Sequence, residues 1–208
     1  GKVEWSGDAA GQLRIGGVYA QGNTVSANLP LFEKCVNNGE VVIKKGSKIG
    51  DQLMIGGVAA FMHKNTDCTN NGTVTIEDNV SWSATYAYIG GAAGYTCGTT
   101  TNLVNNAPLT IGKGCSMGTA THNYIGGALG QLYADKAEDL ENTAKGVITI
   151  GESDFTGYVL LGGCMGTAPA VKTDGKTKLN VSITNCRNYG AINYHATHSK
   201  KLAHYIGG

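Results

Sequence analysis

The stretch N-Y-I-G-G-A-L-G at 123–130 is one version of a phrase the chain writes repeatedly, as L-M-I-G-G-V-A-A at 53–60 and as A-Y-I-G-G-A-A-G at 87–94. Its copies fall at 15–20, 55–60, 89–94, 125–130, 161–166 and 206–208. The first glycines, 16, 56, 90, 126, 162 and 207, are therefore 40, 34, 36, 36 and 45 residues apart. A period of that size marks a solenoid, propeller or array, in which each unit covers its apolar face only by stacking on a neighbour. We read the 208 residues as a single repeat domain over 1–208, a segment of a longer array.

A second phrase aligns independently of the first. It reads C-V-N-N-G-E-V-V-I from Cys35, C-T-N-N-G-T-V-T-I from Cys68, L-V-N-N-A-P-L-T-I from Leu103, L-E-N-T-A-K-G-V-I-T-I from Leu140 and C-R-N-Y-G-A-I-N-Y from Cys186. Asn-Asn-Gly is a turn signal, because Asn and Gly accept left-handed backbone and the Asn side chain bonds to nearby main chain. After the turn, Val41 and Ile43, Val74 and Ile76, Leu109 and Ile111, and Ile148 and Ile150 alternate with Val42, Thr75, Thr110 and Thr149. Period two predicts a strand with the aliphatic set inward. A third segment follows at G-S-K-I-G, N-V-S-W-S, G-C-S-M-G and S-D-F-T-G, with Ile49, Trp82, Met117 and Phe155 as its buried members.

These phrases predict an all-β fold, a repetitive parallel β-solenoid (β-helix) of about 36 residues and three short strands per coil. A propeller is the rival, but its blades need about 40–45 residues and four antiparallel strands, and these units are shorter and unequal. Residues 133–145 read as a loop insertion with one helical turn. In the glycine phrase, alternation groups Gly56 with Val58 and Ala60, and Gly90 with Ala92 and Gly94, so one strand face is small in every repeat. Glycine inside a strand is unfavourable by about 0.5–1 kcal/mol relative to alanine, so its recurrence implies close approach of another backbone.

Composition narrows the function. Only Arg14 and Arg187 among sixteen basic residues are arginine, and the net charge is +1, which argues against a nucleic-acid partner. No apolar run approaches the length of a membrane span, and no signal peptide is present in this chain. Cys35, Cys68 and Cys186 occupy the position of Leu103 and Leu140, and Cys164 that of Val18, Val58, Ala92 and Ala128, so we read them as buried reduced thiols. His195 and His198 with His204 lack further ligands at metal spacing, and no metal or cofactor is expected. Glu77, Asp78, Glu152 and Asp154 read as solvated corners, and Asp135, Glu138, Asp139 and Glu141 as one local acidic loop rather than two acids facing across a cleft. Catalytic residues are therefore expected to be absent.

The tyrosines leave two readings open. Tyr86, Tyr88, Tyr95, Tyr124, Tyr133, Tyr158, Tyr189, Tyr194 and Tyr205 are enough for a ligand-stacking strip, with Tyr88, Tyr95 and Tyr124 as its candidates, while Tyr88, Tyr124 and Tyr205 precede the glycine phrase and also suit an intercoil aromatic ladder.

The phrases I-G-G-V-A-A-F, I-G-G-A-A-G-Y and I-G-G-A-L-G-Q, each followed by N-N-G-T-V-T-I or a variant, resemble the GLUG-type repeats of bacterial surface proteins, especially large exported proteins of Bacteroides-like gut bacteria. The usual G-G-L-V-G core is softened here to G-G-A-A-G or G-G-V-A-A. The resemblance implies an extracellular or cell-surface β-solenoid, an adhesin-like stalk or binding face for a glycan or a host or cell-surface protein, and it carries over no catalytic residue. The alternative is a carbohydrate-binding or polysaccharide-cleaving solenoid. Because the strand at 206–208 stops in mid-phrase, end-to-end self-association or continuation into further repeats is the remaining expectation.

Overall fold

The computed structural model describes residues 1–21, 30–118, 122–168, 180–197 and 203–208. Those residues are strands and turns with no helix, and they wind as a parallel β-solenoid of roughly 36 residues per turn. No helix among them is long and apolar enough to cross a membrane.

Each coil contributes to five sheets rather than three. The coil from residue 52 shows the order: Gln52–Gly56 in the first sheet, Ala59–Met62 in the second, Lys64–Asn70 in the third, Val74–Ile76 in the fourth and Ser81–Trp82 in the fifth. Tyr86–Gly90 then re-enters the first sheet beside Gln52–Gly56, with Ile89 on Ile55 and Gly90 on Gly56. Register is held coil after coil. Val74, Leu109 and Ile148 stack in successive layers, as the turn phrase predicts.

The predicted inward residues of the fourth and fifth sheets are buried. Val41, Ile43, Val74, Ile76, Leu109, Ile111, Ile148 and Ile150 join Ile49, Trp82, Met117 and Phe155 in one core, with Leu53 and Ile55 of the first sheet. Trp82 is closed off by donating its indole N–H to Asn123 Oδ1 at 2.7 Å. A second, smaller core lies between the second and third sheets and contains Val58, Ala59, Met62, Cys68 and Leu103.

What divides the cores is a waist. Asn37, Asn70, Asn105, Asn142 and Asn188, each the first Asn of the turn phrase, form a ladder in which every Nδ2 donates to the Oδ1 of the next coil's Asn at 2.8–2.9 Å. Each Nδ2 also donates to a carbonyl of its own turn, as from Asn70 to Gly72 at 2.6 Å and from Asn105 to Ala107 at 2.8 Å. Opposite this ladder stand the second glycines of the I-G-G phrase. A Cβ on Gly57, Gly91 or Gly127 would overlap the side chain of Asn70, Asn105 or Asn142 and a neighbouring glycine carbonyl, while one on Gly56, Gly90 or Gly126 would strike the carbonyl three residues on. The glycine pair is thus a tight corner pressed against the asparagine ladder. Close approach is the correct reason for the glycines, but the phrase is not one strand: the chain bends at the pair, so Gly56, Val58 and Ala60 do not share a face.

The third sheet also corrects the expectation for 133–145. Lys136–Glu138 and Glu141–Asn142 are strands of that sheet, and no helical turn forms. Between them Asp139 takes left-handed backbone, φ 56°, as do Lys34, Asp67, Asn102 and Asn185 at the equivalent place in other coils. The kink shifts the alternation by one, so Ala137, Leu140 and Asn142 all point inward. Three-residue spacing between the first two gives the sequence its helical look.

Candidate functional site

The bend at the glycine pair brings the outer faces of the first and second sheets together in an external notch. Ala60 is fully buried there, and Gly94 and Gly130, its equivalents, leave no room for a Cβ against carbonyls of the first sheet. Met54 and Tyr88 of the first sheet and Phe61 of the second form a separate apolar cluster in this notch, with Tyr95, Cys97 and Tyr124 packed against it. Tyr88, Tyr95 and Tyr124, the candidate stacking residues, are therefore brought to one place. They touch directly: Tyr88 meets Tyr95 edge-on with centroids 5.0 Å apart and stacks on Tyr124 at 5.5 Å.

Register makes the cluster larger than those three. Residues 52, 86, 122 and 158 align in one column and 54, 88, 124 and 160 in the next. Tyr86 stacks with Tyr88 and Tyr124, His122 with Tyr158 at 4.7 Å, Phe61 with Tyr95 at 5.1 Å, and Tyr95 with Tyr133 at 6.1 Å. Arg14 covers the far side of Phe61 at 5.5 Å. Tyr205 aligns with Leu160 and does not extend the ladder. Most ring planes stack on one another along the axis, with Tyr86 the most open at 39% exposure. The intercoil ladder is built by Tyr88 and Tyr124, and it lies outside both cores.

Apart from Arg14 and two imidazoles, the polar groups of the notch are hydroxyls, a thiol and amides. Burial pushes the phenols of Tyr88, Tyr95 and Tyr124 above the usual tyrosine range, so they stay hydroxyls able both to donate and to accept. His63 and Cys97 are hydrogen-bonded, Nδ1 to Sγ at 2.8 Å, and burial holds the thiol up at about 11. Several polar atoms along this face are buried without a partner: Arg14 Nε, His63 Nε2, His122 Nδ1 and the Tyr133 hydroxyl.

Residues read as lacking a site role are occupied otherwise. Glu77 accepts from Lys44 Nζ at 2.6 Å, Asp78 accepts from the Lys113 amide at 2.9 Å, and Glu138 pairs with Lys136 at 2.6 Å. His195 is exposed, His204 is hydrogen-bonded to the Tyr194 hydroxyl at 2.7 Å, and His198 lies outside the described residues. Among the described residues no three His, Cys, Asp or Glu side chains gather as metal ligands. All six cysteines are free, but only Cys68 and Cys115 are buried; Cys35, Cys164 and Cys186 are half-buried because each stands in the outermost described coil of its column, whereas the same positions in the middle coils, Leu103, Leu140 and Ala128, are fully buried. Phe61 and His122 belong to the face and were missed, whereas Tyr86, Tyr133 and Tyr158 stood in the wider tyrosine set; aligning residues by coil from the I-G-G phrase places Tyr86, His122 and Tyr158 together.

No protein-family model, curated protein or solved structure matches the chain.

Proposed function

We propose that this chain is a non-catalytic β-solenoid module, displayed outside the cell as the GLUG-type resemblance implies, that binds a neutral glycan along its aromatic notch. One observation carries the reading: a contiguous strip of rings without a carboxylate among the described residues of its columns. Aromatic edges and neutral hydroxyls suit a ligand whose own surface alternates C–H faces with hydroxyls. The strip runs from Arg14 through Met54 and Tyr88 to Tyr124, three inter-coil steps of about 4.8 Å, or about 14 Å. That length suits a short oligosaccharide lying parallel to the solenoid axis.

The test is a panel of neutral and acidic oligosaccharides titrated calorimetrically into the whole chain. Neutral glycans should bind, and replacing Tyr86 and His122 together with alanine should weaken them by at least about tenfold, the equivalent of about 1.4 kcal/mol. Thr75→Ala, on the fourth sheet, should leave binding unchanged. A panel with no neutral binder, or binding indifferent to the double substitution, would overturn the proposal.

A further inference from the structure

The second core holds a dithiol, and the argument for it is independent of the ligand reading. In every coil the residue after the glycine pair and the residue after the left-handed kink of the third sheet occupy equivalent places. Backbone bonds fix the first column, from Val18 to Val58, Ala92, Ala128 and Cys164, and register fixes the second, from Cys35 to Cys68, Leu103, Leu140 and Cys186. Up the stack the two positions therefore hold Val and Cys, Val and Cys, Ala and Leu, Ala and Leu, then Cys and Cys. A larger residue in one column is matched by a smaller one in the other in the middle coils, as expected of positions that share a filled volume. Only one coil has sulfur at both.

Contact between the two sulfurs follows from this placement. The Cys164 thiol crosses to the third sheet, donating to the Leu140 carbonyl at 3.5 Å, and lies against Cys186 and the Arg187 amide. Its hydrogen bond holds the Cys186 thiol below the ordinary range, at about 7, while Cys164 is itself pushed up. The other cysteines differ. Cys35 and Cys68 also touch, but they stack on neighbouring coils with their Cβ atoms directed the same way, which opposes the near-perpendicular dihedral of a disulfide, and Cys68 is pushed up to about 11, chiefly by burial. Cys97 is bonded to His63, and Cys115 donates to the Glu77 carbonyl at 3.2 Å.

We propose that Cys164 and Cys186 are a redox-active pair that closes to an intracoil disulfide, tying the glycine corner to the third sheet. With a low-molecular-weight disulfide such as oxidised glutathione as oxidant, the Cys186 thiolate attacks one sulfur and expels a glutathione thiolate, leaving a mixed disulfide. Cys164 gives up its proton to solvent and attacks the Cys186 sulfur. The Cys164–Cys186 bond forms, the second glutathione thiolate leaves, and one glutathione disulfide has become two thiols.

The experiment treats the whole native chain with oxidised glutathione, quenches with acid, and maps thiols by denatured titration and peptide mass spectrometry. The thiol count should fall from six to four, with a single cross-linked pair containing Cys164 and Cys186. In Cys164→Ala, which installs the residue already present at Ala128, Cys186 should instead stop at the glutathione adduct. Cys186→Leu, copying Leu140, should leave Cys164 unmodified. Six surviving thiols in the wild-type chain, a persistent glutathione adduct on Cys186, or a cross-link between any other pair would each overturn the proposal.

Discussion

Replacing Asn105 with alanine tests the waist directly. Asn105 donates through Nδ2 to Ala107 O at 2.8 Å and to Asn142 Oδ1 at 2.9 Å, and its Oδ1 accepts from Asn70 Nδ2 at 2.9 Å. Both neighbouring asparagines and Ala107 are buried, so the substitution leaves one donor on Asn70, one acceptor on Asn142 and the Ala107 carbonyl without their partner. Each such orphan costs about 1–3 kcal/mol, which gives a loss of about 3–9 kcal/mol. At a urea slope of about 2–3 kcal/mol/M the unfolding midpoint should fall by roughly 1–4.5 M. The control is Asn106→Ala, one residue along, where a half-exposed amide donates to Asn71 Oδ1 at 2.9 Å and water can replace it; its cost should stay below about 1 kcal/mol. Amide exchange should accelerate in the Asn105→Ala chain at the turns of residues 70–73 and 105–108. If Asn105→Ala costs no more than Asn106→Ala, the ladder does not hold the waist and the account of the glycine pair fails with it.

Gly91→Ala should destabilise by about 1–3 kcal/mol or more, since the new methyl strikes the Gly127 carbonyl and Asn105, whereas Gly11→Ala, which meets nothing within 4 Å, should stay within about 0.5 kcal/mol in the same urea titration. The Lys44 ammonium holds the Glu77 carboxyl below its ordinary range, so its contribution is present above the unfolded value near pH 4 and is lost as acid titrates the folded group; Glu77→Gln should flatten that acid limb, and an unchanged limb would refute the pairing. Tyr88, which is buried, and half-buried Tyr95 and Tyr124 have folded values raised above the unfolded value near 10, so their contribution is complete below about pH 10 and fades above it. In an absorbance titration these phenols should ionise only as circular dichroism is lost, and ten ordinary tyrosine titrations in folded protein would contradict this.

What the sequence made legible was the part of the coil where side chains alternate undisturbed. The fourth and fifth sheets, from Val41 to Ile150 and from Ile49 to Phe155, follow period two and were placed on the correct face. The second and third sheets were not, for two different backbone reasons. In I-G-G-V-A-A-F the alternation continues on paper through a corner that only the Gly56 and Gly57 contacts reveal, so two strands read as one. In the third sheet a single left-handed residue per coil, Asp67 or Asn102 for example, slips the phase, and neither residue type announces itself as strongly as glycine would. The aromatic notch was half-legible: Tyr86, Tyr88, Tyr95 and Tyr124 could be named, but Phe61 and His122 join them only once the bend and the register are known.

The bend also explains why the notch lies where it does. A closed coil with one core would put residues 54 and 61 on separate outer faces, each solvated. Drawing the glycine corner in to meet the asparagine ladder folds those faces toward each other, so Met54, Ala60, Phe61 and Tyr88 bury one another outside both cores. The two phrases of the repeat are therefore coupled through the interior: Asn70 requires glycine at 57 for space, and Gly57 gains a packed neighbour that no aliphatic residue could provide without leaving the turn carbonyls unpaired. Any coil that keeps both phrases forms the waist, and any coil that forms the waist has an external angle at the same place. Which side chains line that angle is then free to vary, from Arg14 and Met54 to Tyr88, Tyr124 and Leu160, without disturbing the scaffold that holds them. A binding face of this kind can change its chemistry coil by coil while its geometry stays fixed.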